Sequence, residues 1–555
     1  MKSVRLVAIN ARYSHTNLAV LYMRETIRDL PWVCDVKSFT INTPFYDILE
    51  GLSEDMPDVL AFSVYIWNAE LMKRLLPEIK KIMPQTKLIL GGPEVSYNHQ
   101  QWIQQFPDID YIVVGAGEKG FRELLENDLT FDKQIVDIGA LPYDQIPFPY
   151  IPEDFEESRN KILYYESSRG CPFKCTFCLS SRDDQKLDYR HLERIHNELK
   201  MIVDQKPGLV KFVDRSFNAK AKMSREIWRY LIDLNPSTRF HFELHPLLLK
   251  DEDFELLATA PEGLFQFEIG IQTLNEQSQE VIRRKNRWHK MRPNIERLIA
   301  LGNIHIHVDF IAGLPHEDMA STKASFNGIY ELKADVMQFG FLKVIPGTPM
   351  YYQIEELGLK YTQSAPYQIL ETKWLNFDEL RQLREMETSL NAIYNCEQFK
   401  VTEAELIQLH DNPFDAYKAI AEFAKANALL SAKSWNKVAQ WIIDYVKSKF
   451  PEKASLIYDC LRYDWVQIPK SRTYPPFLLN GQTEEHNHLK KNLRELFRSN
   501  DLKLADKVFK SGIIFKPSTT DFISNYKVEL SYWVDENGQR KKYDLHQAAI
   551  IKIVR

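Results

Sequence analysis

Hydrophobic and polar positions fall into three regimes along the 555 residues. Up to about residue 140, short β-branched runs alternate with stretches whose apolar residues recur at three and four positions. Residues 4–9 predict a strand, 18–30 an amphipathic helix and 36–41 a second strand. Residues 59–64 are nearly all apolar, as expected of a strand buried on both faces. A helix over 69–83 follows, then strands over 88–90 and 111–114, and a helix through 121–125. This alternation predicts a parallel, doubly wound sheet. Such sheets bind ligands at the carboxyl ends of their strands. Three strand ends there are rich in polar and small residues: Asn10-Ala11-Arg12-Tyr13-Ser14-His15, Ser63-Val64-Tyr65 and Gly91-Gly92-Pro93-Glu94-Val95. Paired glycines either admit a ligand close to the backbone or make a turn.

A proline-rich stretch from Leu141-Pro142 to Pro152 predicts an extended, semi-rigid spacer. Beyond it, six further βα units can be counted. Their strands are expected at 161–166, 209–214, 239–245, 264–272, 304–311 and 336–344, with helices at 221–234, 275–285 and 294–301 among those between. In the third regime helices are expected at 376–394, 403–409, 415–430, 435–449, 453–462 and 489–498. A loop rich in Pro and Tyr separates the last two, and strand-like runs follow at 508–509, 513–515, 528–533 and 550–553. Asp535-Glu536-Asn537-Gly538 is a turn signal among these runs. The expected organisation is an α/β first domain over 1–140, a linker over 141–160, a second α/β domain over 161–365 and a mainly helical domain over 366–555.

Composition narrows the function classes. A hydrophobic content of 44% and a charged content of 26% are ordinary for a globular protein. The formal net charge of −5 supplies no global basic field, which argues against a nucleic-acid partner. The basic groups at Lys490-Lys491 and Arg540-Lys541-Lys542 read as solvated faces. The chain opens Met-Lys-Ser-Val-Arg straight into a strand, with no signal-peptide core and no apolar run long enough to span a bilayer. A cytoplasmic protein without a membrane partner is expected. Six cysteines, three of them in one cluster, are usage for a reducing compartment. Cys34, Cys396 and Cys460 stand alone and read as small apolar residues.

The clustered cysteines are Cys171, Cys175 and Cys178, at C-x₃-C-x₂-C spacing behind Arg169-Gly170. Short cysteine spacings of this kind hold iron–sulfur clusters, and they also hold zinc. Three ligands for a four-iron cube leave one iron without a protein ligand, and an open metal position belongs to catalysis. A Cys₃ zinc site completed by His191, or three buried thiols, are the alternatives that spacing leaves open.

With Phe177 directly before the last cysteine, the motif resembles the signature of the radical S-adenosylmethionine (radical SAM) superfamily. Later strand ends resemble that family in order. They are Val213-Asp214-Arg215-Ser216-Phe217, Phe267-Glu268-Ile269-Gly270-Ile271-Gln272-Thr273 with Ile282-Arg283-Arg284, Asp309 to Glu317 with its Gly313-Leu314-Pro315, and Pro346-Gly347-Thr348-Pro349. Taken singly, each reads equally well as a buried network at a barrel mouth. The resemblance implies a partial (β/α)₆ barrel with a [4Fe–4S] cluster on Cys171, Cys175 and Cys178. It implies SAM on the open iron, its adenine beside Phe177, Ile311 and Gly313. Asp214, Glu243, Glu268 and Gln272 would face SAM, and Arg283 or Arg284 would pair with its carboxylate, for which the bidentate fork is suited.

The first domain's Gly91-Gly92-Pro93-Glu94-Val95-Ser96 and Val114-Gly115-Ala116-Gly117-Glu118 resemble the cobalamin-binding domain fused to many radical SAM enzymes. The implied cobalamin contacts are His15, Ser63, Gly91, Gly92 and Pro93. The D-x-H-x-x-G run of cobalt-ligating domains is replaced by Asn10 to His15, so His15 reads as a lower ligand, a phosphate contact or a helix-entry residue, the last two favoured. The domain order resembles a bacterial group of radical SAM proteins with an uncharacterised C-terminal domain. The implied activity is cleavage of SAM to a 5′-deoxyadenosyl radical and cobalamin-dependent C-methylation of a substrate that the sequence does not name. An external electron donor of flavodoxin or ferredoxin type is implied with it. The alternatives are a non-methylating radical SAM cyclase or rearrangement enzyme with a vestigial cobalamin domain, and a cobalamin sensor or structural metal protein. A tRNA methylthiotransferase would need more cysteines in the first domain, where only Cys34 stands.

Overall fold

The computed structural model describes residues 2–181, 187–284, 286–432, 434–468 and 474–479, and short fragments beyond these as far as residue 553. The chain forms two compact units, Met1–Ala334 with Phe339–Phe377, and Asp335–Gln338 with Asp378–Arg555.

The first unit begins with β1 (Lys2–Asn10), α1 (Leu18–Thr26), β2 (Trp32–Thr40), α2 (Phe45–Ser53), β3 (Val59–Ser63), α3 (Ala69–Ile82), β4 (Lys87–Gly91), α4 (Pro93–Gln105), β5 (Tyr111–Val113), α5 (Gly117–Glu126) and β6 (Ile135–Val136). The strands form one parallel sheet in the order β2-β1-β3-β4-β5-β6. Strand order reverses between β1 and β3, which opens a crevice at their carboxyl ends. β3 is buried at every position, as its apolar run predicts. Asn17 caps α1 by accepting from the Val20 amide. α1 stops at Thr26, short of the expected residue 30, because the chain turns into β2 at Trp32. β2 is an edge strand, mostly half-buried, so only part of it carries a clear pattern. The expected loop at Gly91-Gly92-Pro93 is the start of α4, with Pro93 at a first helical position that needs no amide.

The second sheet contains β7 (Leu163–Tyr165), β10 (Leu209–Phe212), β11 (Arg239–Leu244), β12 (Phe265–Gln272), β13 (His305–Ala312) and β14 (Val336–Phe341), ordered β14-β13-β12-β11-β10-β7. All six expected strands are present, in sequential order. A short antiparallel pair, β8 (Ser168–Arg169) with β9 (Asp188–Tyr189), brackets the cysteine loop. The helices between are α7 (Leu192–Asp204), α8 (Ala221–Leu234), α9 (Asp251–Leu257), α10 (Glu276–Val281), α11 (Trp288–Leu301) and α12 (Met319–Tyr330), after a short α6 (Pro152–Glu157) in the linker. On β12, Phe265, Phe267, Ile269 and Ile271 are fully buried and alternate with Gln266, Glu268 and Gly270, which are half-buried. β13 alternates likewise. Trp228 of α8 packs against Phe217, Phe242 and Phe267, so the apolar face of the sheet meets the helices. The polar face is left for the lumen.

The proline-rich stretch is packed against α1. Tyr143 and Ile146 are buried with Tyr22 of α1, and Arg24 grips Asp154 through both guanidinium nitrogens at 2.8 and 2.6 Å. The first domain also bridges directly to the barrel, where the Ile162 amide donates to Ser14 O at 2.7 Å.

After α13 (Ile354–Leu357) and the pair β15 (Lys360–Tyr361) with β16 (Ile369–Glu371), the second unit carries α14 (Phe377–Ile393), α15 (Lys400–Gln408), α16 (Pro413–Ala426), α17 (Trp435–Lys449) and α18 (Ala454–Gln467). Two of the expected strand-like runs pair antiparallel, β17 (Gly512–Phe515) with the last strand, Ile550–Ile553. The expected helix at 489–498 lies almost wholly outside the described residues, as do the run at 508–509, most of that at 528–533 and the turn at 535–538. Among the described residues no helix is long and apolar enough to cross a membrane.

Candidate active site and adjoining cavity

Cys171 and Cys175 are buried and Cys178 is half-buried, on the loop that leaves the carboxyl end of β7. The loop is pinned at several points. Asp214, at the end of β10, is buried and accepts from the Ser167 amide at 2.9 Å and from the Ser167 and Ser168 hydroxyls at 2.6 and 2.5 Å. Burial pushes its carboxyl up to about 6 against the pull of those serine hydrogen bonds. Thr176 donates its amide to Ile282 O and receives the Met350 amide at its carbonyl. The Phe173 ring stacks on His245, centroids 4.2 Å apart. Arg284 donates to Cys175 Sγ at 3.5 Å and to Gly270 O at 2.5 Å. Burial pushes the Cys175 thiol up, and Arg284 works against it.

Glu243 and Glu268 are partners in the β11–β12 register, but they bond differently. Glu243 accepts from Arg215 at 3.3 Å. Glu268 meets His241 Nε2 at 2.9 Å and Lys211 Nζ at 3.1 Å. Burial alone would raise the Glu268 carboxyl, yet the contacts with His241 and Lys211 outweigh it and bring it below the ordinary carboxylate range. Asp309 on β13 is driven the other way, well above the carboxylate range, by burial and by Glu268 and Glu243 nearby. Gln272 ends β12 in the left-handed region at φ 70°. Ile311 lies on the half-buried face of β13, Gly313 turns the chain at φ 82°, and Phe177 is half-buried. Of the two arginines, Arg284 reaches the cysteines and Arg283 is exposed. His191 is 85% exposed beside Asp144, so the buried thiols gain no fourth ligand from it.

Four buried polar atoms near this mouth have no partner among the described residues: Gln272 Oε1, Arg284 Nε, Asp309 Oδ1 and His245 Nδ1. Buried polar atoms are rarely left unpaired in a folded chain, so they mark where a polar ligand would sit. Burial, with Arg284 nearby, drives the His245 imidazole down to about 3 and keeps it neutral.

Beside the cysteine loop opens a cavity of about 750 Å³, within the ~300–1,000 Å³ range of small-molecule sites. His15, Ser63, Gly91, Gly92 and Pro93 all line it. It also runs inward past Leu6, Ala61 and Ile89 at mid-sheet, under Val20 and Met23 of α1 and Phe121 of α5. On the barrel side Gly170, Leu179 and Arg215 form its wall. His15 is committed to the joint. Its Nδ1 meets the Tyr164 hydroxyl and its ring stacks on Tyr164. Burial lowers its pKa, and the charges of Arg12 and Lys211 lower it further.

Sequence reasoning missed several residues here. Arg169 donates to Glu118 Oε1 at 2.7 Å and to Glu166 Oε2 at 3.0 Å, with its guanidinium over the Tyr143 ring. His245 and the Lys211–His241 pair were missed as well. Glu118 and Arg169 stand inside quoted motifs, but nothing in either motif says that the two meet.

Three regions match known families: residues 4–125 the B12 binding domain, 165–327 the radical SAM superfamily, and 355–543 a protein family of unknown function, DUF4080. The chain is 25% identical over 329 residues to the 2-(S-pantetheinyl)-carbapenam-3-carboxylate methyltransferase of Streptantibioticus cattleyicolor, covering 52% of this chain and 48% of that protein. It is 24% identical over 362 residues to the cobalamin-dependent radical SAM methyltransferase TokK of Streptomyces tokunonensis, covering 58% and 52%. The chain thus spans about half the length of these curated relatives. Its fold resembles that of the cobalamin-dependent SAM radical enzyme OxsB, solved with aqua-cobalamin and S-adenosylmethionine, at a TM-score of 0.56 and 14% identity over 85% of this chain and 84% of that one. The chain thus carries a B12 binding domain, a radical SAM domain and a DUF4080 domain, in that order.

Proposed function

We propose that the protein is a radical SAM enzyme that holds a [4Fe–4S] cluster on Cys171, Cys175 and Cys178, SAM beside it and cobalamin in the adjoining cavity, and methylates carbon on its substrate. The observation that carries this reading is the adjacency of two sites in one unit. Orphaned polar atoms surround the cysteine loop, and a cavity whose wall includes Gly170 and Leu179 reaches deep beneath the first sheet's helices. A ligand with a broad polar head and a long limb fits a cavity that starts at strand ends and continues to Leu6, Ala61 and Ile89.

When bound, the cluster and SAM supply a carbon-centred radical, and the corrin a transferable methyl group. The chain's own residues bind and orient. The three thiolates ligate iron, and Arg284 donates to the Cys175 sulfur, a hydrogen bond of the kind that tunes cluster potential. Gln272 Oε1 and Arg284 Nε offer an acceptor and a donor for the amino and carboxylate groups of SAM. Asp214 holds the entry to the loop through Ser167 and Ser168, so its role is to place the cysteines. His15, engaged by Tyr164, supports a joint role over cobalt ligation. Thiolate ligands suit a reducing, cytoplasmic compartment, and the cluster requires a low-potential one-electron donor of flavodoxin or ferredoxin type.

The test is anaerobic reconstitution with iron and sulfide, followed by SAM, dithionite and hydroxocobalamin, with 5′-deoxyadenosine and bound corrin measured together. Deoxyadenosine with one corrin per chain is expected, and Cys175→Ala should abolish both iron loading and deoxyadenosine. Deoxyadenosine without corrin would replace methyl transfer by a non-methylating radical reaction. A fully loaded cluster that yields none would overturn the reading.

A further inference from the structure

Glu118 sits in the first turn of α5, is 3% exposed and lines the cavity. Its Oε1 accepts from Arg169 Nη2 at 2.7 Å, while its Oε2 is buried and has no partner among the described residues. A buried carboxylate oxygen without a donor is costly, and Glu118 belongs to the lining of a cavity that could bring one. Arg169 lines the same cavity. It is held by Glu118 from the first domain, by Glu166 from the barrel, and by the faces of Tyr143 and Tyr22 at 4.6 and 5.4 Å. Two residues further on is Cys171. The segment that enters the cysteine loop is therefore anchored from both sides, by Asp214 through Ser167 and Ser168 and by Glu118 through Arg169.

We propose that Glu118 receives an N–H donor of the cavity's ligand on Oε2, and that Arg169, as a positioning residue, passes this engagement to the segment bearing Cys171, so that cavity occupancy and cluster assembly favour each other. The ligand chemistry required is a primary amide or similar donor, which the acetamide and propionamide fringe of a corrin provides. The inference rests on the corrin and cluster reading above. Its physical basis is that a Glu118 satisfied on both oxygens holds Arg169 in one place, and a fixed Arg169 lowers the cost of ordering the loop. Coupling of this kind is reciprocal, so it can be read from either site.

The experiment titrates hydroxocobalamin, followed by its absorbance, into cluster-loaded and cluster-free protein. In the wild type, affinity should be about fivefold or more tighter with the cluster present, the lower end of ordinary coupling. In Glu118→Gln, which keeps the side chain's size, and in Arg169→Gln, that ratio should fall to about one with iron content retained. A merely structural role would weaken both affinities together and leave the ratio intact. If Arg169→Gln does not fold, Glu118→Gln decides. Equal affinities in the wild type, or a ratio that survives in Glu118→Gln, would overturn the proposal while leaving the corrin reading standing. Failure of both forms to bind hydroxocobalamin would overturn both readings.

Discussion

Gly92 shows how a close backbone approach dictates a residue type. Its φ is 103°, and a Cβ there would lie 2.5 Å from Val64 O and 3.0 Å from Val64 N. The backbone of α4's entry thus rests directly on the end of β3, and only glycine permits it. Gly91, by contrast, has room for a side chain, with Val113 O at 3.8 Å. Gly92→Ala should cost about 1–3 kcal/mol from backbone strain alone, more once Val64 moves, read by chemical denaturation. The same variant should weaken corrin binding, because Gly92 and Pro93 line the cavity. The Gly91-Gly92 pair is visible in the sequence, but the packing of Gly92 on Val64 is not. Arg283 and Arg284 pose the same problem. Neighbours in sequence with one chemistry, they are told apart because Arg283, at φ 52°, is exposed while Arg284 reaches Cys175.

Among the elements, those with a strong period are legible and those without one are not. All six barrel strands carry a buried apolar face against the helices, and α17 falls on the expected residues 435–449. α4 was not legible because it opens on a turn-like Gly-Gly-Pro and is interrupted at Asn98 by non-helical geometry. α10 ends at Val281, short of the expected 285, where Arg283 takes a positive φ. In the second unit, α15 is capped by an aspartate from α18, which no local pattern reveals. Asp464 accepts from the Val401 and Thr402 amides at 3.1 and 2.8 Å. Burial outweighs these hydrogen bonds and pushes its carboxyl up to about 6 from 3.8. The folded state therefore binds more protons than the unfolded state between about pH 4 and 6, so this group's contribution to stability falls as pH rises through that window. The stability of the wild type relative to Asp464→Asn should drop by about 2 kcal/mol from pH 4 to pH 7, measured by urea unfolding at each pH. A flat difference would mean that Asp464 does not titrate in that window.

For the whole molecule, the first domain and the barrel share one compact unit, so a ligand in the cavity should stabilise both together. Hydroxocobalamin at a hundredfold excess over its Kd should add about 2.7 kcal/mol, seen as a rise in Tm. Hydrogen-exchange protection should extend from the ends of β1, β3 and β4 to the segment around Arg169. Protection confined to the first domain would argue against a shared unit. What the sequence determined by itself is the kind and order of its parts. A local period sets strand against helix, spacing brings three thiols onto one loop, and polar residues at strand ends mark the mouth of each sheet. These are short-range properties, written within a few residues of one another. What only the tertiary structure decided is which of those residues meet. Arg284 reaches Cys175 from 109 residues away, Arg169 reaches Glu118 across 51, and His15 reaches Tyr164 across 149. Such pairings depend on how two sheets close around a shared cavity, because the burial that makes an ion pair or an orphaned oxygen matter exists only once the chain has folded.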